Sequence, residues 1–135
     1  MENWAWGLFL TALTMAMHGT GVIFMALAGV SIRARIESQN HLTLRHVAAI
    51  QIGLIGTVGL LLAALHGVEA ALWGAAYWWL GALNSPTEAI LYSVDSMSTL
   101  GASGLTLEPH WRMMGALEGM DGMLLPASVQ PTSSR

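Results

Sequence analysis

The sequence predicts an all-α membrane protein with two transmembrane helices, a re-entrant helix and loop, and a short third helix. Three observations carry that prediction. Hydrophobic residues fill 54% of the 135 positions and charged residues 10%, against roughly 25% charged in soluble chains. Two long apolar runs flank a single arginine-rich connector. A capped segment then follows that is too short to cross a bilayer. Cysteine is absent and all five cationic residues are arginines. Disulfides and thiolate metal sites are thereby excluded, and a net charge of -3 speaks against nucleic acid as a partner. No hydrophilic stretch is long enough for a second domain, so residues 1–135 read as one membrane domain.

Helix one spans residues 4–32. It holds no Asp, Glu, Lys or Arg, and His18 is its only strongly polar side chain. It exceeds the roughly 20 residues a spanning helix needs. The start, Met1-Glu2-Asn3, has no positive n-region, so the segment reads as a retained helix, not a cleaved signal. Residues 33–46, RARIESQNHLTLRH, hold Arg33, Arg35 and Arg45. The positive-inside rule makes this loop cytoplasmic and puts the N-terminus outside a multi-pass cell membrane protein, in the inner membrane if the source is bacterial.

Helix two with an outer interfacial segment occupies residues 47–83. As one helix it would reach about 55 Å, beyond a hydrocarbon core of about 30 Å. An exit near Glu69 is expected, with Trp73, Tyr77, Trp78 and Trp79 at the headgroup level. Gly53, Gly56 and Gly59, and Ala12 with Ala16, are small residues at helical spacing that permit close backbone approach.

Residues 85–104 form the short helix and loop. Ser85-Pro86-Thr87-Glu88 has the capping-box spacing with proline at the first helical position. From there to Leu100 the helix covers roughly 20 Å, which suits a re-entrant helix. The competing reading is a surface helix that turns Ser93, Asp95 and Ser96 to water. Trp111-Arg112 is an interfacial anchor for a third helix over 111–125 that carries Glu118 and Asp121. Pro126 and Pro131 flank a polar tail, 126–135.

The stretch SPTEAILYSVDSMSTLGASGLTLEPHWRMMGALEGMDGMLL, residues 85–125, resembles small bacterial potassium-channel-like members of the pore-loop ion-channel family. The shared order is a capped short helix, a Ser-Thr-Leu-Gly turn and a Pro-His-Trp-Arg entry to a further helix. The resemblance implies that 86–99 is a pore helix and that Thr99, Leu100, Gly101, Ala102 and Ser103 line an ion path as the filter. It also implies assembly as a homo-oligomer, a tetramer, around monovalent cations such as potassium. The chain departs from the family's Thr-x-Gly-Tyr-Gly-Asp segment: Ala102 stands for tyrosine, Ser103 for the second glycine and Gly104 for aspartate. A filter lined by backbone carbonyls needs glycine conformations that a residue with a Cβ resists, so a non-conducting channel-like subunit or scaffold is the alternative expectation.

Among polar residues in the apolar runs, His66 and Glu69 are three apart on one helical face and are expected to pair near the outer boundary, with Glu69 at interfacial water. Counting back from Arg33 and Arg45 puts His18 and His66 about 9 Å apart in depth. That offset speaks against a bis-histidine haem, the rival from another class. Glu118 and Asp121 are expected to be solvent-exposed or, in an oligomer, to ring a pore. No Ser-His-Asp arrangement, phosphate loop or zinc motif supports an enzyme, and no metal or cofactor is expected. The bilayer and the permeating cation are the expected partners.

Overall fold

The computed structural model describes residues 2–38, 43–98 and 104–127. Every regular element among them is an α-helix: α1 Glu2–Glu37, α2 Leu44–Trp79, α3 Pro86–Met97 and α4 Arg112–Ala127. Two of these, over Trp4–Ile36 and Leu44–Trp79, are long and apolar enough to cross a membrane.

Both long helices extend into the polar connector between them. α1 continues through Arg33 and Arg35 to Glu37, and Arg35 sits in its last turn, where a cation suits the helix dipole. α2 starts after Thr43, whose carbonyl accepts from the amides of His46 and Val47 at 2.9 and 3.2 Å. It then stays one helix for 36 residues, past Glu69. Its end lies at Trp79, short of the expected Leu83, and Gly81 is the reason. Gly81 takes φ +74°, the Ala82 amide bonds the Tyr77 carbonyl at 2.8 Å and the Gly81 amide bonds the Trp78 carbonyl at 3.1 Å. This paired closure is the Schellman motif, for which a left-handed glycine is the usual terminator.

α3 begins where the sequence puts it, with Ser85 extended (φ -124°, ψ 135°) as the N-cap and Pro86 in the first turn. The Ser85 side chain makes no capping hydrogen bond, so the reciprocal bonds of a capping box are not formed; the proline and the Ser85 carbonyl, bonded by the Ala89 amide at 2.9 Å, set the start instead. At 12 residues, α3 covers about 18 Å. α4 has 16 residues, about 24 Å, and runs two residues past the expected Leu125, with Pro126 in its final turn.

The chain divides into two compact units, Met1–Met17 with Gly67–Arg135, and His18–His66. In the first, Leu10, Trp73, Tyr77, Leu83, Ala89, Leu107, Trp111 and Met114 form the core. Trp111 is therefore buried packing and not the interfacial anchor expected of it. The aromatic group on α2 splits as well: Trp73 and Tyr77 are buried while Trp78 and Trp79 are exposed. In the second unit Leu65 closes over Gly21, and Gly53, Gly56 and Gly59 meet nothing within 4 Å. The close approaches made at glycines in the first unit fall at Gly7, Gly74, Gly115 and Gly122.

The polarity of the molecule is the reverse of a water-soluble one. Its exposed large side chains include Phe24, Ile52, Ile55 and Leu60, whereas Thr14, His18, Glu69, Ser93, Asp95, Glu118 and Asp121 are buried. Only 6% of the apolar window of α1, and none of that of α2, is buried, so neither is the core helix of a globule. Soluble monomers rarely expose contiguous apolar surface beyond a few hundred Å².

Candidate functional site

The site with the most chemistry lies in the first unit, where α4 carries Glu118 and Asp121. Three residues apart, they share a face of the helix. Both are fully buried, which overturns their expected solvent exposure. In place of water each carboxylate has hydroxyl groups supplied by other helices. Tyr77 of α2 donates to Glu118 Oε2 at 2.8 Å, Ser93 of α3 donates to Glu118 Oε1, and Ser96 adds a further hydrogen bond. Thr14 of α1 donates to Asp121 Oδ2, and its hydroxyl also lies 2.8 Å from the Leu10 carbonyl oxygen. Two carboxyl groups on α4 thus tie it to α1, α2 and α3.

The same contacts decide how α3 faces. Ser93 and Asp95 are buried, while Ile90, Leu91 and Val94 are exposed, so the surface-helix alternative has its polarity inverted. α3 seats closely on its neighbours: a Cβ at Gly74 would lie 2.8 Å from the Ile90 Cα, and one at Gly122 would lie 2.5 Å from the Met97 carbonyl oxygen. Tyr92 stands edge-on to Tyr77, with centroids 5.3 Å apart, and its hydroxyl lies over Gly115.

α4 lies outside the two membrane-length helices. Burial pushes the Glu118 carboxyl up to about 8, against the pull of the bonds from Ser93, Tyr77 and Ser96, and the nearby Asp121 adds to the rise. A carboxyl group in so dry a setting holds its proton into the neutral range.

Of the residues singled out in the sequence, Thr99, Leu100, Gly101, Ala102 and Ser103 lie outside the described residues. The described residues resume at Gly104, which takes φ +80°. That is a left-handed conformation glycine adopts freely. Glu69 is fully buried in the first unit, not at interfacial water. His18 and His66 belong to the second unit, and their rings meet with centroids 5.1 Å apart. The expected 9 Å offset fails because it starts from Arg33 and Arg45, which are not level. Counted from the observed helix ends at Glu37 and Leu44, the offset falls to about 5 Å, within side-chain reach. The two imidazoles lie against each other at an interplanar angle of 42°.

Ser93, Tyr77 and Thr14 were not singled out as partners of Glu118 and Asp121. The available signal was the number of polar side chains on apolar helices, each of which needs a partner out of water. Compared with protein-family models, curated proteins and solved structures, the chain matches none of them.

Proposed function

We propose that this chain is a membrane-embedded, pore-loop subunit that assembles into a homo-oligomer and lets monovalent cations pass passively, with Thr99–Ser103 lining the path. The observation that carries the reading is the seating of α3. It is too short to span, its apolar side faces outward, and its polar side is anchored to the buried Glu118 immediately before Thr99-Leu100-Gly101 in the chain. A helix held this way presents its C-terminal carbonyls at the start of the loop, and that negative dipole end favours a cation. Arg33, Arg35 and Arg45 place the connector of α1 and α2 in the cytoplasm on this reading, and the N-terminus outside.

Ser103 in place of the family's second glycine favours a second reading, a non-conducting subunit that keeps the fold as a scaffold. Potassium and sodium flux into liposomes separates the two. The comparison is between the wild-type protein and a variant with Ala102→Tyr and Ser103→Gly. Gly104 is kept, because its positive φ disfavours the aspartate usual at that position. Flux from the wild type supports conduction and its ion preference measures the loop's selectivity. Flux from the double variant alone supports a channel scaffold with a silenced filter, and silence from both rejects conduction.

A further inference from the structure

This inference rests on the pore-loop reading and concerns what sets the orientation of α3. Packing of Ala89, Tyr92 and Met97 on the core, backbone seats and hydrogen bonds together hold that helix. The backbone seats at Gly74 and Gly122 limit how closely it approaches α2 and α4, but a backbone is nearly cylindrical and a steric seat does little to stop rotation. The hydrogen bonds are directional and add a restraint on rotation to that of the apolar packing. Ser93 and Ser96 are three residues apart and so lie on one strip of α3. Both bond the single carboxyl of Glu118, whose second oxygen is held by Tyr77 of α2. Turning α3 by one residue, about 100°, would carry both serines away.

We infer that Glu118 is the positioning residue of α3, a clamp whose grip depends on whether its carboxyl group carries a proton. Protonated, the group is neutral and can both donate and accept among hydroxyls that reorient freely. Ionised, it brings a charge into a fully buried site, one turn from Asp121. Opening α3 away from α4 to admit water then becomes favourable. The titratable groups that act on it are Tyr77 from α2, Tyr92 from α3 and Asp121 from α4. From α1, the Thr14 hydroxyl is directed at Asp121. Burial already holds the Glu118 carboxyl above the usual carboxylate range. The sign follows: the closed clamp is favoured at low pH and is lost as pH rises through the range in which Glu118 ionises.

The test uses the full chain in liposomes. Because the chain has no cysteine, Ser98→Cys at the exposed end of α3 accepts a single nitroxide. Infrared titration from about pH 6 to about pH 10 should show a carboxylic C=O band that disappears with rising pH and is absent from Glu118→Gln. Over the same range the nitroxide should gain mobility in the Glu118 protein and stay unchanged in the Gln background. Ser93→Ala keeps the carboxyl group and serves if the Gln variant does not fold; its infrared titration should persist while the label is already mobile at low pH. Ion flux should change several-fold across the same range only where Glu118 is present. A pH-dependent label in Glu118→Gln, or a rigid label in Ser93→Ala, would overturn the clamp. Absence of flux from every variant would reject conduction, while the infrared and nitroxide results would still decide the clamp.

Discussion

The seat of α3 on α4 can be tested by one methyl group. Gly122→Ala would put a Cβ 2.5 Å from the Met97 carbonyl oxygen, 2.7 Å from its Cα and 3.0 Å from its carbonyl carbon. Carbon atoms in contact sit at about 3.5–4.0 Å, so the end of α3 has to retreat by about 1 Å. The obstructing atoms are backbone, and no change of rotamer relieves them. Overpacking of this kind costs about 1–3 kcal/mol, set against the roughly 0.5–1 kcal/mol an alanine gains over glycine inside a helix. Gly119→Ala, three residues earlier on the same helix, is the control. Its Cβ would meet only Ser96 Oγ at 3.9 Å, an ordinary contact, so it keeps the gain alone. The propensity term cancels between the two variants, leaving an expected difference of about 1–3 kcal/mol, with Gly122→Ala the less stable. Reversible unfolding in detergent, followed by helical circular dichroism, measures it. Equal stabilities within about 0.5 kcal/mol would refute the close approach of α3 and α4.

Thr14→Val leaves the buried Asp121 without the hydroxyl that bonds it and should cost about 1–3 kcal/mol, whereas Thr14→Ser should stay close to wild type in the same unfolding measurement. At the exposed positions Ile55 and Leu60 on α2, lysine should reduce membrane integration, at about 2.5–3.5 kcal/mol for a charge at the bilayer centre. A water-soluble, monodisperse double-lysine protein would instead show that this face is not in contact with lipid.

The division into helices was legible because polar residues punctuate an apolar chain. The arginine-rich connector separates α1 from α2, and Ser85-Pro86 opens α3, in both sequence and structure. The end of α2 was misjudged because Gly81 lies among apolar residues, and hydropathy does not register a φ of +74°. Trp111 was misjudged for a related reason: tryptophan suits both an interface and a core, and only its packing with Met114 and Leu107 in one cluster decides between them. The histidine offset failed through its origin, since a helix boundary misplaced by a few residues moves every depth counted from it.

The carboxyl network was hidden for a deeper reason. In water, polar residues on a short helix point outward, and that rule gave the surface reading for Ser93, Asp95 and Ser96. Where large apolar side chains cover the outside, the rule changes sign, and every polar group must find a partner within the protein. The sequence then poses a matching problem: the hydroxyls of Thr14, Tyr77 and Ser93 on three helices, against the carboxyl groups of Glu118 and Asp121 on a fourth. Helical spacing restricts each partner to a face but not to a helix. The pairs that form are 25, 41 and 107 residues apart, so no local pattern selects them. What selects them is that an unmatched carboxyl group at this depth costs more than any single contact around it contributes. For that reason Glu118, not the cap at Ser85, is where a perturbation of α3 should be felt most.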